Sequence, residues 1–252
     1  MDALAERAIV GNGTAESAWL EWIDAASLPS VTAAELVPAQ CRVVVVAPHP
    51  DDEILSVGGL LVQLARLGRA IDIVAVTDGT GSHEGSTDWT SDRLKTTRPQ
   101  ETRRALARLG LDIEPLRLEL LDGDVSACES ELAQSLGRHL RSDDVVFTTF
   151  RDDGHPDHEA TARACALAAG MTGARLVEIP VWAWHWAAPG DPRFPWHRAR
   201  RIELDAAAAA CKQSAVRAFE SQLLPDASTG AGPILRPSTV ERTFRPFEIV
   251  FT

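Results

Sequence analysis

Residues 43–59, VVVVAPHPDDEILSVGG, run from four consecutive valines into a histidine, two aspartates and a glutamate, and then into an apolar segment with two glycines. A continuous β-branched run suits a strand buried on both faces, and the apolar positions after the polar turn suit a helix. The same unit recurs down the chain. Strands are expected at 42–47, 70–77, 114–120, 144–150 and 174–184, and helices at 54–68, 98–110, 129–142 and 158–170. Alternating apolar strands and helices predict an α/β fold with a Rossmann-like, mostly parallel open sheet and helices on both faces. Upstream, GTAESAWLEWIDAASL reads as a helix with Thr14 or a neighbour as N-cap, so residues 1–41 are expected as an N-terminal helical arm on a single domain spanning 42–252. Downstream, 205–224 reads as helix, and STGAGP (228–233) as a loop.

The 252 residues are 45% hydrophobic, enough for a sizeable core, and carry a formal net charge of −11. Nucleic-acid affinity rests on clustered cations, so nucleic acid and anionic membranes are poor partners. No apolar run approaches the ~18 residues of a membrane span. Cys41, Cys128, Cys165 and Cys211 show no paired spacing, and the N-terminus lacks a basic segment followed by an apolar one. A cytoplasmic protein is expected.

Ligands of open α/β sheets bind outside the carboxyl ends of the strands. Three expected strand ends carry polar motifs: PHPDDE (48–53), TDGTGSHEGS (77–86) and RDDGHPDHE (151–159). The first strand-to-helix turn holds carboxylates where a phosphate cradle would need glycines, which opposes a pyrophosphate. A histidine and a carboxylate from the first turn with a histidine from the third would form the mixed nitrogen and oxygen donor set of a catalytic zinc. A cation also offsets the repulsion among crowded carboxylates. Asp51, Asp52 and Glu53 alone also read as first-turn acids of a helix, and HPDH alone as a surface turn. Their joint placement on one rim favours the metal.

APHPDDE (47–53) together with HPDH (155–158) resembles the PIG-L or LmbE-like family of zinc-dependent N-acetylglucosaminyl deacetylases. Pro48 departs from the family's AHPDDE form at a position that is not a ligand. TDG (77–79), RPQETRRALARLG (98–110), LDGDV (121–125) and KQSAVRAFESQ (212–222) extend the resemblance from about 42 to 222.

The resemblance implies one zinc ion per chain held by His49, Asp52 and His158, with Asp51 as general base for the attacking water. It makes His155, when protonated, the stabiliser of the oxyanion, with Asp157 orienting it. Arg98 falls at a substrate-pocket arginine, and Asp122 at an acidic residue near the site. The substrate class implied is a small N-acetyl or N-acyl amino-sugar conjugate. Alternatives are a family amidase cleaving another amide, such as a thiol conjugate, and a non-catalytic nucleotide-binding domain. The family's active-site tyrosine has no counterpart, because the chain contains no tyrosine. Loop 80–97 and segment 182–204 are expected to shape the outer pocket. Trp182, Trp184 and Trp186 suit core packing or sugar stacking, and His83 a loop site. His139, His185 and His197 are expected as structural or surface residues.

Overall fold

Alternation decides where each valine of the opening stretch goes. In the computed structural model, which describes residues 7–252, the strand Arg42–Ala47 (β1) sends Val43 and Val45 into one core cluster and Val44 and Val46 into another. The first cluster takes residues from the helices Ala33–Leu36 (α2), Asp52–Arg66 (α3) and Ala206–Val216 (α8). The second takes residues from Glu129–His139 (α5) and Pro156–Thr172 (α6). A strand covered on both faces has no polar side to show, hence the unbroken valines. The first six residues of the expected arm lie outside the described residues.

The sheet has seven strands. Ile71–Thr77 (β2), Leu116–Leu120 (β3), Asp144–Thr149 (β4) and Arg175–Ile179 (β5) join β1 in the parallel order β3-β2-β1-β4-β5. Phe247–Phe251 (β7) pairs antiparallel with β5 and with Ala199–Glu203 (β6), which forms the edge. The mostly parallel sheet matches expectation; the two antiparallel strands were not read from sequence. From β1 the chain winds outward through β2 and β3, then returns to β4 on the other side. The junction of β1 and β4 is therefore the switch point where such sheets form a crevice.

Three elements differ from expectation. The helix expected over 98–110 is Ser91–Arg108 (α4), which starts seven residues earlier with the Thr90 side chain accepting from the Arg93 N–H, and Pro99 lies inside it. The strand expected over 174–184 stops at Ile179, and Ala183–Trp186 (α7) is one helical turn. The long helix expected over 205–224 is broken between α8 and Glu220–Leu223 (α9). The last helix, Pro237–Arg242 (α10), precedes β7.

The helix Glu16–Ala26 (α1) buries Trp19 and Ile23 in an aromatic cluster with Phe150, Trp184, Phe194 and Phe251. Thr14 is not its cap: the hydroxyl donates to the Ala187 carbonyl at 2.6 Å and ties the arm to α7. One helix is interrupted inside the core. At Val57 (φ −129°, ψ 20°) α3 breaks, and the Glu248 carboxylate of β7 accepts the Gly59 and Leu60 N–H groups at 2.8 Å each. Lys212 of α8 reaches Glu248 at 2.6 Å and the Ser56 carbonyl at 3.4 Å, so one buried ion pair serves both sides of the break.

Candidate metal centre and active site

The turns after β1 and β4 meet across the switch point. Three donor atoms converge there: His49 Nδ1 lies 3.2 Å from His158 Nε2 and 3.4 Å from Asp52 Oδ2, and the latter two are 3.2 Å apart. Zinc bonds of ~2.05 Å at tetrahedral angles require donors about 3.3 Å apart, so this triangle has the edge length of a tetrahedral face. Donor atoms of His49, His155 and His158, and of His49, Asp122 and Asp157, also lie within 4.8 Å of one another. The set with Asp52 fits best, because each ring nitrogen it uses is left free by the bond at the other nitrogen. His49 Nε2 faces Asp122 and Asp157 at 3.1 Å each, and His158 Nδ1 faces Asp153 at 2.8 Å. A proton on each of those nitrogens directs a lone pair from the opposite one into the triangle.

These contacts set the protonation of the metal-free site. Burial disfavours charge on His49, but hydrogen bonds to Asp122, Asp157 and Asp52 outweigh it and hold the ring well above its usual pKa. Burial likewise opposes charge on His158, yet Asp52 and Asp153 carry it up to about 9. Asp52 and Asp122 are held below the usual carboxylate range despite burial, through His158 and His49 for Asp52 and chiefly through His49 for Asp122. Asp51 goes the other way: burial pushes it up to about 7, against the pull of Arg98.

Asp51 stands at φ 127°, far outside the range comfortable for a residue with a Cβ. Such strain persists only where the surroundings overdetermine it. The Arg98 guanidinium donates to Asp51 Oδ2 at 3.1 Å, to the Pro50 carbonyl at 2.7 Å and to the Gly79 carbonyl at 2.8 Å. Glu53 accepts the Asp51 N–H at 3.1 Å. Gly79 is required beneath Arg98, since its φ is +64° and an added Cβ would stand 1.9 Å from Arg98 Nη1. The site opens into a cavity of about 980 Å³, lined at its floor by His49, Asp51, Asp52, Asp122 and His155.

The PIG-L family, described as GlcNAc-PI de-N-acetylase, matches residues 44–169. A 1D-myo-inositol 2-acetamido-2-deoxy-alpha-D-glucopyranoside deacetylase of Corynebacterium diphtheriae is 30% identical over 234 residues, covering 74% of this chain and 78% of that protein. The chain belongs to the PIG-L family. Among solved structures, a conserved protein of Thermus thermophilus superposes with a TM-score of 0.57 at 27% identity, covering 81% of this chain and 85% of its own. A deacetylase of teicoplanin biosynthesis shares the fold with a TM-score of 0.61 at 20% identity, over 83% and 96% of the two chains. The expected family and α/β fold are borne out.

Within this PIG-L chain, two expectations about the HPDH segment change. The Asp157 carboxylate does not face His155. It accepts from Gly123 N–H at 2.7 Å and Val125 N–H at 3.2 Å and turns its remaining reach to His49. Only the Asp157 main-chain N–H meets His155, donating to Nδ1 at 3.2 Å, because His155 is the N-cap of α6. His155 is also not a ready imidazolium: burial, with His158 and His49 beside it, lowers it to about 3. The Asp157 N–H at Nδ1 leaves Nε2 as the nitrogen placed to carry a proton towards the cavity.

Asp153 escaped the sequence reading. It is fully buried and accepts four hydrogen bonds, from the N–H groups of Val181, Trp182 and Ala183 and from His158. Its position two residues before His155 in RDDGHPDH was the available signal, but Asp152 beside it is equally acidic and does not reach the histidine. The cavity wall also differs from expectation. Gly81, Ser82 and Trp182 line it, but its larger part comes from residues 9, 11 and 12 of the arm and from 231–237 and 239. Trp184 is buried in the aromatic cluster, and Trp186 donates to the Asp153 carbonyl at 2.8 Å. His185, expected as a structural or surface residue, is buried and lines the cavity. His83 is held by Ser82 at 2.9 Å, and His139 by Asp72 at 2.8 Å. Among the described residues, no helix is long and apolar enough to cross a membrane.

Proposed function

We propose that the chain hydrolyses the N-acetyl, or a related N-acyl, group of a small amino-sugar conjugate, with one zinc ion held by His49, Asp52 and His158. The supporting observation is the donor triangle at the floor of the cavity, with the carboxylate of Asp51 beside it. The relatives named as deacetylases of amino-sugar compounds support the substrate class. A cation bound there supplies Lewis acidity, polarising the amide carbonyl and lowering the pKa of a water beside it.

The chain's own groups supply the remainder. Arg98 occupies Asp51 Oδ2 and leaves Oδ1 to accept a proton from the attacking water. As the carbon–oxygen bond forms, negative charge gathers on the former carbonyl oxygen. Neutral His155 donates its Nε2–H to that oxygen, a fixed dipole aimed where charge develops. Collapse breaks the carbon–nitrogen bond, and the proton held by Asp51 passes to the departing nitrogen. Acetate and a free amine result. Arg98 acts as the positioning residue for Asp51, and Asp122 and Asp157 for His49. The four cysteines are free, which supports a reducing, cytoplasmic setting.

The test is release of acetate and amine from N-acetylglucosaminides by the zinc-loaded protein. Asp51→Asn is expected to keep stoichiometric zinc and lose hydrolysis by about 10²-fold or more. Wild-type turnover in that variant would remove Asp51 as the base.

A further inference from the structure

The N-terminal arm lies outside the segment that the family matches, residues 44–169, yet Ile9, Gly11 and Asn12 line the same cavity as the metal site. The arm is fastened there. His185 Nε2 donates to the Val10 carbonyl at 2.9 Å, and the Thr14 N–H donates to the His185 carbonyl at 2.9 Å. Arg242 Nη2 donates to the Thr14 carbonyl at 2.8 Å and to the Asn12 carbonyl at 3.4 Å. Just beyond, Glu16 takes both arms of Arg245 at 2.7 Å in a buried pair. Gly13 is required at the crossing with α7, since its φ is +63° and an added Cβ would stand 2.6 Å from the His185 carbonyl oxygen. Val10 and Asn12 are gripped by their main-chain carbonyls, which leaves the Asn12 side chain uncommitted.

Asparagine is favoured in loops for two local reasons: it tolerates a left-handed backbone, and its side chain hydrogen-bonds its own main chain nearby. Neither accounts for Asn12. The left-handed positions are the glycines on each side, Gly11 at φ 66° and Gly13 at φ 63°; among the described residues the non-glycines with positive φ are Ser27, Asp51 and Glu119. The Asn12 amide has no hydrogen-bond partner among the described residues, and the residue is an exposed part of the cavity wall. Two bends in the chain thus present a single free amide to the cavity. Such an amide has donors and an acceptor but no charge, so it complements a hydroxyl, which is also donor and acceptor, rather than an ion. The arm's anchors, His185 of α7 and Arg242 of α10, make no hydrogen bond or ion pair with His49, Asp52 or His158 among the described residues, which sets Asn12 apart from the metal floor. The cavity of about 980 Å³ lies at the upper end of the range that encloses drug-sized ligands, ~300–1,000 Å³, so a sugar with its acetamide at the metal leaves this wall to whatever the sugar carries.

We propose that the arm completes the substrate site, with Asn12 as a specificity-determining residue whose side-chain amide hydrogen-bonds a hydroxyl of the group attached to the acetamido sugar. This rests on the deacetylase reading of the metal end. Gly13 is a positioning residue that acts through Asn12, by letting the arm pass close to His185. The segment that carries the metal donors and the segment that reads the far part of the substrate are then separate stretches of chain, brought to one cavity by the buried arginines that hold the arm.

The experiment compares two glycosides of N-acetylglucosamine with the zinc-loaded protein, one bearing a glucosyl ring and one a cyclohexyl ring, which differ in hydroxyl groups at similar size. Two readouts are taken: kcat/KM for acetate release, and calorimetric affinity for the corresponding free-amine glycosides, which needs no turnover. The glucosyl compound is expected to exceed the cyclohexyl one by about three- to tenfold in each, the range of one neutral hydrogen bond. In Asn12→Ala that ratio is expected to fall towards one, with the loss in KM for the glucosyl compound. Gly13→Ala, which drives the arm off His185, is expected to lose the same ratio. Asn12 is exposed, so its substitution keeps the test decisive if the Gly13 variant folds poorly. A merely structural arm would lower both compounds together and leave the ratio alone. No preference for the hydroxylated ring in the wild type, or a ratio unchanged in the folded Asn12→Ala protein, overturns the proposal. Failure of both glycosides to release acetate, with the affinity ratio present and lost in Asn12→Ala, would strike the deacetylase reading and leave the role of Asn12 standing.

Discussion

Asp153→Asn tests whether the metal triangle is set by a carboxylate that touches none of its three edges. The substitution preserves shape but replaces an acceptor with a donor. With the amide oxygen kept towards Val181 and Ala183, which donate to Oδ1 at 2.9 Å each, the amide nitrogen takes the place of Oδ2. That position now receives the Trp182 N–H at 2.9 Å and His158 Nδ1 at 2.8 Å. Two donors then oppose each other at Trp182, leaving a buried N–H unpaired at a cost of about 1–3 kcal/mol of stability. His158 can accept from the new amide only by moving its proton to Nε2, the atom 3.2 Å from both Asp52 and His49. The lone pair needed for a metal is thereby lost. Removing such an outer carboxylate typically costs 10- to 100-fold in metal affinity, or about 1.4–2.8 kcal/mol. Chelator-competition titration with zinc measures this. Glu178→Gln is the control, since Glu178 is equally buried but pairs with Arg151 and Arg198; it is expected to lower stability and leave zinc affinity alone. Folded Asp153→Asn protein binding zinc within about twofold of wild type would refute the reasoning.

Three other outcomes are expected. Zinc affinity rises with pH across the neutral range, because His158 keeps its proton up to about 9 and His49 beyond its usual range until metal displaces both; affinity that is flat in pH would contradict this. Lys212→Met leaves Glu248 buried without its cation and is expected to cost about 3–5 kcal/mol in urea unfolding, where a loss below about 1 kcal/mol would show that the pair does not hold the break in α3. Gly79→Ala forces Arg98 off Asp51 and is expected to lower kcat about tenfold or more with zinc affinity retained, so an unchanged kcat would remove Arg98 as the positioning residue.

The valine run and the two histidine motifs were legible because each carries its cause locally. A strand between two helical layers must be apolar throughout, and charged turns at strand ends must meet at one rim. Less legible was whatever depends on a distant partner. The FEIVF of β7 is as apolar as any strand, but Glu248 within it contradicts burial until Lys212 and the broken helix α3 are seen around it. The WAWHW segment alternates like a strand, yet the N–H groups of residues 181–183 are gathered by one carboxylate, which curls the chain into a helical turn. The start of α4 was misplaced because Thr90 caps it eight residues ahead of the arginine that opens the recognised motif.

Charge balance explains how four aspartates can be packed at the end of a valine strand. Asp51, raised to about 7 by burial, is about half ionised near neutral pH and so adds less than a full charge to the repulsion. Asp52, Asp122 and Asp157 remain charged, each against an imidazole. His49 and His158 are both protonated near neutral pH, and they supply two positive charges from within the cluster. A divalent cation entering the triangle must displace those two protons and brings the same two charges. Net charge in the buried site is therefore conserved on loading, and so are the hydrogen bonds of Asp122, Asp157 and Asp153 to the outer nitrogens. Metal selection in this chain then depends on donor spacing and on the tautomers fixed from behind, rather than on a change in net charge, which loading leaves as it was.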